Sequence, residues 1–203
     1  LSACNVPWQK KDTQKEVKRE VIQADKVQGT MEGMTLKVGV SNDMAPFSYY
    51  DEEQKKIVGF DIDLLDKISD YLGVEYKLYP LSMKQIEQKI KDKEIDLAIA
   101  GISITDARQR EYSFTDAYYE TYLQIVVHKN TGITDRKDVE GMKIGVVTGT
   151  SSEEYAKEYI AEHNNKIKTY KTAEEVFKDL EDEKIDATIY DALGIQAYMK
   201  EHK

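Results

Sequence analysis

Cysteine, proline and long apolar runs are scarce in this sequence. Its 203 residues include one cysteine, three prolines and one tryptophan, so no disulfide framework supports the fold. The apolar runs are short, and none has the length that a membrane-spanning helix needs. Acidic residues outnumber basic ones by 38 to 29, which gives a formal net charge of -9. Because no basic stripe offsets that charge, the composition argues against a general affinity for nucleic acid.

The motifs of common enzyme classes are also missing. The three histidines, His128, His163 and His202, lie in polar segments without the spacing of metal ligands. The sequence has no H-E-x-x-H and no G-x-S-x-G motif. The segment "GVVTGTSSE" over residues 145–153 lacks the lysine and the glycine spacing of a phosphate-binding loop. The sequence therefore predicts no metal site and no cofactor.

The chain has enough apolar residues for one ordinary domain or two small lobes, since 40% of it is hydrophobic. From residue 34 onward, short apolar runs alternate with amphipathic segments. The runs "TLKVGVS" (35–41), "VEYKLYP" (74–80) and "IDLAIAG" (95–101) predict strands, and apolar residues at helical spacing follow Phe60. This alternation predicts an α/β fold with a parallel sheet covered by helices.

The pattern then repeats along the chain. "GMTLKVGVS" (33–41) is matched by "EGMKIGVVT" (140–148), and "IEQKIKDKEIDLAIA" (86–100) is matched by "VFKDLEDEKIDATIY" (176–190). Chance similarity between short βαβ pieces is the alternative, but order and spacing are kept, which favours two α/β lobes in series. Ligands of α/β sheets bind beyond the carboxyl ends of the strands, where three side chains fall: Arg108, Thr150 and Asp191.

Four ordered segments carry a resemblance to a known family. They are "APFSYYDEEQKKIVGFDIDLLDKISDYLG" (45–73), "KEIDLAIAGISITDARQREYSFTDAYYE" (93–120), "VEGMKIGVVTGTSSEEYAK" (139–157) and "KIDATIYD" (184–191). The chain resembles the extracytoplasmic solute-binding proteins of polar amino-acid ABC transporters, family 3, over roughly residues 34–203. The resemblance implies the two-lobed, type II periplasmic-binding-protein fold with a ligand cleft between the lobes. It also implies a binding protein, not an enzyme, that captures a free amino acid and delivers it to a membrane permease.

The resemblance also suggests a division of the chain. Residues 34–119 correspond to the first α/β lobe, and residues 120–203 to the hinge and the second lobe. In the family pattern the chain continues past the strand ending at Asp191, crosses the hinge again and completes the first lobe. We therefore expect the C-terminal part of the first lobe to be missing here, which would leave apolar surface for another chain to cover.

The first 33 residues are expected to be a lipobox remnant followed by a flexible tether. "LSAC" over residues 1–4 resembles the end of a bacterial lipoprotein signal peptide, which implies that Cys4 carries a lipid anchor. The alternative is an exposed thiol without a function. Residues 5–33 are polar and mixed in charge, as is typical of a spacer. A lipid on Cys4 would place the protein on the outer face of the bacterial cytoplasmic membrane.

The family assigns the α-carboxylate of the amino acid to the arginine of the "T-x-x-R" segment, which is Arg108 here. A planar guanidinium suits two carboxylate oxygens. The alternative is a surface ion pair with Asp106 or Glu111. The resemblance places Thr150 and Ser151 at the start of a second-lobe helix whose N–H groups favour the same carboxylate. Helix capping by Thr150 is compatible with that role.

The family assigns the α-ammonium of the ligand to Asp191, since a carboxylate in a closed cleft needs a charged partner. The alternative is that Asp191 only caps the helix that follows it. Ala100, Gly101 and Ser103 resemble positions that offer backbone and hydroxyl hydrogen bonds to the ammonium and carboxylate groups. One ligand would then contact both lobes and favour their closure.

The positions that choose the ligand side chain depart from the family pattern. Ser41 stands where relatives selective for basic amino acids often have an acid, and Met44 and Met83 stand where aromatic residues are common. Methionine is soft and adaptable, which suits an apolar or sulfur-containing side chain, although both methionines also fit an ordinary core. The pattern favours a ligand other than arginine or lysine and does not name the amino acid.

An enzyme on the same fold is the alternative function. Periplasmic dehydratases acting on arogenate-like or prephenate-like compounds share this architecture. A further alternative is a homologue that lacks the usual C-terminal segment and does not bind a ligand. A dehydratase needs a positioned acid in its cleft. The sequence offers Glu120 and Glu153, and both are expected to be solvated.

Overall fold

A computed structural model describes residues 2–5, 27–129, 131–161 and 164–202. In chain order, the strands are β1 (Ser2–Asn5), β2 (Thr35–Val40), β3 (Asp43–Met44), β4 (Ser48–Asp51), β5 (Lys56–Val58), β6 (Glu75–Pro80), β7 (Leu97–Ala98), β8 (Leu123–Val127), β9 (Lys143–Val147), β10 (Lys166–Tyr170) and β11 (Ala187–Asp191). The helices are α1 (Phe60–Leu72), α2 (Met83–Lys91), α3 (Asp106–Gln109), α4 (Ser151–Tyr155), α5 (Ala173–Glu181) and α6 (Ala192–Glu201).

The strands form two α/β lobes, as the sequence predicts. The first lobe has a parallel sheet in the order β6-β2-β7 and a small antiparallel sheet in the order β3-β4-β5. The second lobe has one sheet in the order β1-β8-β11-β9-β10, in which β9, β10 and β11 are parallel and β8 runs antiparallel to β11. The predicted α/β fold class is confirmed.

The sequence repeat has a matching repeat of backbone contacts. In the first lobe, Asp96 accepts the Lys37 N–H at 2.8 Å, and in the second lobe Asp186 accepts the Lys143 N–H at 2.7 Å. Each aspartate follows an isoleucine that packs over a glycine of the neighbouring strand. A Cβ on that glycine, Gly39 or Gly145, would lie only 2.6 or 2.5 Å from the isoleucine Cδ1. The two lobes therefore repeat the same close packing of strand and helix.

Helix boundaries follow from local capping chemistry. α2 begins with a complete capping box, in which Ser82 and Gln85 bond each other's backbone N–H groups. α1 ends at Gly73, whose φ of 71° is in the left-handed region that glycine adopts without strain. α5 begins at Thr172, whose hydroxyl accepts the Glu175 N–H at 3.2 Å. These caps fix where the helices begin relative to the strands that carry the site.

Two elements are shorter than the sequence predicts. The strand expected over residues 95–101 is regular only at Leu97–Ala98, because β2 is its one partner and pairs with it only there. The second-lobe helix expected to start at Thr150 and Ser151 is α-helical only over Ser151–Tyr155 and continues as a π-helical turn over Ala156–Ile160. The second-lobe helix thus changes its hydrogen-bond register just after the cleft.

The N-terminal residues differ from the expected free tether where the structure describes them. The backbone of β1 pairs antiparallel with β8, from Ser2 opposite Val127 to Asn5 opposite Gln124. Residues 27–33 form turns that bond the end of α1, with the Gly29 N–H donating to Tyr71 O at 2.9 Å. Most of the predicted tether, residues 6–26, and the side chain of Cys4 lie outside the described residues.

Each lobe has its own apolar core. In the second lobe, buried side chains cover both faces of the sheet, one cluster around Ile144 and Ile189 and another around Phe177 and Leu180. The first lobe packs Val38, Val40 and Leu65 between its sheet and α1. Within the described part of the chain, no helix is both long and apolar enough to cross a lipid bilayer.

Candidate functional site in the cleft between the lobes

Eight of the ten predicted ligand residues line one cavity between the lobes. We name it the Arg108 cavity, and the eight are Met44, Met83, Gly101, Ser103, Arg108, Thr150, Ser151 and Asp191. First-lobe residues supply the arginine, and the second lobe supplies the aspartate that ends β11. The carboxyl ends of the strands bring these side chains together, as expected for α/β sheets.

Arg108 is held by the short helix α3. The Thr105 hydroxyl caps that helix by accepting the Arg108 N–H at 3.3 Å. The side chain is only 5% exposed, and its guanidinium donates to Ser103 O at 3.2 Å and to Gly149 O at 2.9 Å. Because Gly149 belongs to the second lobe, one arginine already joins the two lobes directly.

The carboxylates beside Arg108 are not those considered from the sequence. Arg108 is buried, its ion pairs among the described residues are with other carboxylates, and Glu111 pairs with Lys91, so the alternative of a surface pair with Asp106 or Glu111 does not hold. Instead, Glu154 Oε1 lies 3.0 Å from Arg108 Nε, and Glu87 Oε1 lies 3.5 Å from an Arg108 Nη atom. Nε has no well-aligned hydrogen-bond acceptor, so the contact with Glu154 is electrostatic.

Glu154 also makes a second contact across the cleft, since Thr105 donates its hydroxyl to Glu154 Oε2 at 3.2 Å. Burial raises the pKa of Glu87, against the opposing attraction of the Arg108 guanidinium. Sequence reasoning missed both glutamates, because Glu87 on α2 is 21 residues from Arg108 and Glu154 on α4 meets Arg108 only when the lobes pack together. No local signal identifies them.

Asp191 lines the cavity from the second lobe and caps α6. One of its oxygens accepts the N–H groups of Leu193 at 3.1 Å and Gly194 at 2.9 Å. The capping alternative therefore holds, and the same carboxylate also lines the cavity. Burial raises the pKa of Asp191, and the two N–H bonds oppose that rise. A cationic group beside Asp191 would lower its pKa again.

The hydroxyl groups of the cavity come from both lobes. Ser103 Oγ and Ser151 Oγ lie 3.2 Å apart across the cleft. Thr150 does not cap α4 with its side chain; its hydroxyl donates to Val147 O at 2.7 Å. The anion site that the resemblance implies at the start of α4 stays a prediction. Ser151 contributes its hydroxyl to the cavity, whereas the single O–H of Thr150 is already donated to Val147 O.

Two predicted residues do not line the Arg108 cavity. Ala100 is fully buried in the core cluster with Ile86, so its side chain contributes packing. Ser41 lines an adjoining second cavity, where its hydroxyl accepts the Asp43 N–H at 3.1 Å. We name this second space the Asp43 cavity.

Met44 and Met83 serve both purposes that the sequence left open. They are 8% and 6% exposed and belong to the same core cluster. They also line both cavities, so they form the wall between them. Tyr190 packs across this wall, with its hydroxyl 3.5 Å from the Met44 sulfur.

A buried aspartate supports the loop that carries Gly101. Asp61, fully buried at the start of α1, accepts the Gly101 N–H at 2.7 Å and the Tyr118 hydroxyl at 2.8 Å. Burial raises the pKa of Asp61, and these two hydrogen bonds oppose the rise. Neither Asp61 nor Tyr118 is recognisable from the sequence, because an acid in the first turn of a helix is already explained by the helix dipole.

The lobes are closed in this arrangement. Besides the contacts of Arg108 and Glu154, the Ala173 N–H of the second lobe donates to Asp43 of the first at 2.9 Å. The Arg108 cavity has a volume of about 20 Å³, which is room for about one water molecule. A larger molecule enters this cavity only when the lobes move apart. Among the described residues, no group of three histidine, cysteine or acidic side chains is placed to hold a metal.

Comparison with known proteins agrees with the resemblance. Residues 36–192 match the family described as bacterial extracellular solute-binding proteins, family 3. The arginine-binding extracellular protein ArtP of Bacillus subtilis is 30% identical over 165 residues, which cover 81% of this chain and 64% of ArtP. The L-cystine-binding protein TcyJ of Escherichia coli is 31% identical over 162 residues, covering 79% of this chain and 60% of TcyJ.

A solved structure shares the fold. An ancestral arginine-binding protein bound to arginine superposes with a TM-score of 0.77 at 35% identity, over 86% of this chain and 75% of that one. The chain spans 64% and 60% of the lengths of ArtP and TcyJ, less than two thirds of either. The family model nevertheless covers most of the chain, including both lobes and every residue of the Arg108 cavity named above. The chain belongs to the bacterial extracellular solute-binding proteins of family 3.

Proposed function

We propose that this chain acts outside the cytoplasmic membrane, where it captures a free amino acid between its lobes and delivers it to the permease of an ABC transporter. One observation carries the proposal: a buried guanidinium from one lobe and a half-buried carboxylate from the other line a single cavity. A zwitterionic amino acid presents the two complementary charges on one carbon. Arg108 would hold the α-carboxylate and Asp191 the α-ammonium.

Binding on this proposal exchanges contacts between the lobes for contacts with the ligand. When the lobes separate, Arg108 loses Gly149 O and Glu154, and its guanidinium becomes accessible. The ligand carboxylate then replaces these acceptors, and Ser103 and Ser151 supply hydroxyl donors from both sides. Because the ligand gains its full set of contacts only between closed lobes, it stabilises closure.

Thermal unfolding against a panel of free amino acids tests the function. A ligand that binds only the folded protein raises the midpoint by mass action, so one or a few amino acids are expected to shift it upward. Their α-N-acetyl derivatives, which lack the ammonium, are the matched controls and are expected to leave the midpoint unchanged. If no amino acid shifts the midpoint at millimolar concentration, the proposal is wrong.

The affinity is expected to fall at acidic pH because of Asp191. Burial raises the pKa of this carboxyl, and the ligand ammonium needs the ionised form, so a proton competes with the ligand. As the pH falls through that raised pKa, affinity decreases by up to about tenfold per pH unit. Calorimetric titrations between neutral pH and pH 4.5 measure this slope. The Asp191→Asn variant is expected to bind weakly and to lose most of the slope, and an unchanged slope would contradict the role of Asp191.

Attachment through Cys4 is a further part of the proposal. The lipobox-like "LSAC" supports it, and cleavage before Cys4 would remove Ser2 and Ala3, leaving half of β1 to pair with β8. Mass spectrometry of the N-terminal peptide from bacterial membranes is expected to find a diacylglyceryl group on Cys4. An unmodified cysteine preceded by Ser2 and Ala3 would refute the anchor.

The positions of the candidate acids favour binding over a dehydratase activity. Glu120 is exposed and does not line the Arg108 cavity. Glu153 is less solvated than expected, since it accepts the Gly149 N–H at 2.7 Å and pairs with Lys157 at 2.7 Å. Neither acid is placed to protonate a leaving group in the cavity. Incubation with prephenate and arogenate is expected to give no product, and turnover of either would favour the enzyme alternative.

A further inference from the structure

The Asp43 cavity is much larger than the Arg108 cavity and opens behind the two methionines. Its volume is about 290 Å³, against about 20 Å³ beside Arg108. Pockets that hold small molecules begin at about 300 Å³, so this space has the size of a ligand subsite. Met44 and Met83 line both cavities, so the two spaces are neighbours with the methionines between them. A ligand with its α-carbon beside Arg108 would extend past the methionines into the Asp43 cavity.

Two opposite charges line the Asp43 cavity, one from each lobe. Asp43 is on β3 in the first lobe, and one of its oxygens accepts the Ala173 N–H at 2.9 Å, which leaves the other oxygen as an acceptor. Lys171 follows β10 in the second lobe and lines the same space. Of the ion pairs within the described segments, none includes Lys171. Lys171 is exposed, and its flexible side chain can bring the ammonium to an anionic group in this space.

An amide donor lies in the same wall. Gln85 Oε1 accepts the Ser82 N–H at 2.9 Å, as part of the α2 capping box. This bond fixes the side chain and leaves the Nε2 amino group as a donor at the edge of the cavity. The Asp43 cavity thus offers a carboxylate, an ammonium and an amide donor, which together complement a second ammonium and a second carboxylate.

The wall between the cavities has a different chemistry. Met44 and Met83 are nearly fully buried and carry no charge. Thioether groups pack well against apolar and sulfur-containing groups and adjust to their shape. The order along the cleft is therefore a charged site, a soft apolar wall and a second charged site.

We propose that the cleft selects two-headed amino acids, in which two amino–carboxylate groups are joined by a short apolar or sulfur-containing linker. This inference rests on the proposed function, since the first head occupies the Arg108 cavity. The linker passes Met44 and Met83. In the second head, the ammonium meets Asp43, and the carboxylate meets Lys171 and Gln85. A linker of carbon or of sulfur satisfies the same chemistry, so both are tested.

Calorimetric titration with matched ligands tests the inference. L-Cystine and meso-2,6-diaminopimelate have two heads, and S-methyl-L-cysteine and L-norleucine are their one-headed counterparts. A Cys4→Ser background avoids thiol exchange with cystine, because Cys4 is the single cysteine of the chain. We expect at least one two-headed ligand to bind about tenfold or more tighter than its one-headed counterpart, as for added hydrogen bonds to charged groups.

Variants of the second charged site separate this inference from the function itself. Lys171→Gln is expected to weaken the two-headed ligand about tenfold and to leave the one-headed ligand within about twofold. Lys178→Gln, an exposed lysine on α5 that does not line the cavity, is the matched control and is expected to change neither. Asp43→Asn is expected to lower the ratio of the two affinities, although it also removes charge from the contact with Ala173.

The remaining outcomes contradict either the two-headed inference alone or the proposed function as well. If one-headed amino acids bind as tightly as two-headed ones and both need Arg108, the function stands and the two-headed inference is wrong. The same conclusion follows if Lys171→Gln weakens both kinds of ligand equally. If neither kind binds, and no other amino acid does, the inference and the proposed function both fail.

Discussion

Replacement of Arg108 by alanine is expected to weaken amino-acid binding by about 2–5 kcal/mol, which corresponds to about 30-fold to several thousand-fold in Kd. The arginine is only 5% exposed and is the sole guanidinium that the described residues contribute to the Arg108 cavity, so a ligand carboxylate would lose its charged partner without a solvent replacement. Glu154 and Glu87 would remain beside the vacated position and add repulsion. Calorimetric titration of the wild type and the variant measures the loss.

Two further substitutions make that result specific. Arg110→Ala removes an exposed arginine two residues away and is expected to leave the affinity unchanged. Arg108→Lys keeps the charge but loses the planar pair of donors, so a large part of the loss is expected to persist. Circular dichroism and the midpoint of unfolding report whether each variant folds, since Arg108 also joins the lobes through Gly149. Equal Kd values for the wild type and a folded Arg108→Ala variant would remove Arg108 from the site.

The parts of the fold that were predictable are those fixed by local pattern. The strands β2 and β9 and the helix α5 lie where apolar periodicity and capping residues place them. The repeat also predicted the shared topology of the lobes. The length of β7 was not predictable, because it depends on how far a neighbouring strand pairs with it. The register of α4 was not predictable either, because its π-helical turn has no simple sequence signature.

The candidate site likewise contains residues that were predictable from the sequence and residues that were not. Arg108 and Asp191 were found because each follows a strand end within a recognisable motif, and the structure brings both to one cavity. Glu154 and Asp61 were missed because their partners, Arg108 and Tyr118, are distant in sequence. Asp43 was missed for a related reason, since its importance comes from a cavity that two lobes form together. Residues whose roles come from contacts with distant parts of the chain are recognised only in the packed structure.

Replacement of Phe177 by alanine is expected to destabilise the second lobe by about 3–5 kcal/mol, the usual cost of removing a buried aromatic ring and leaving a cavity. Phe177 is 1% exposed and has the largest side chain among the fully buried residues of the described chain. Its ring meets Tyr190 edge-on at 5.4 Å and stacks on Tyr198 at 4.3 Å, so one substitution removes two aromatic contacts. Urea unfolding followed by circular dichroism measures the change.

The position of Phe177 also links this core to the cleft. Tyr190 directly precedes Asp191 and lines the Arg108 cavity, so loss of the ring beneath it removes support from the site as well as from the core. Phe177→Leu, which keeps an apolar side chain in place, is expected to cost much less than alanine and to preserve binding. A loss below about 1 kcal/mol for Phe177→Ala would mean that the ring is not packed as described. The expected loss of about 3–5 kcal/mol together with an unchanged affinity would instead show that the core stabilises the lobe without positioning Tyr190 and Asp191.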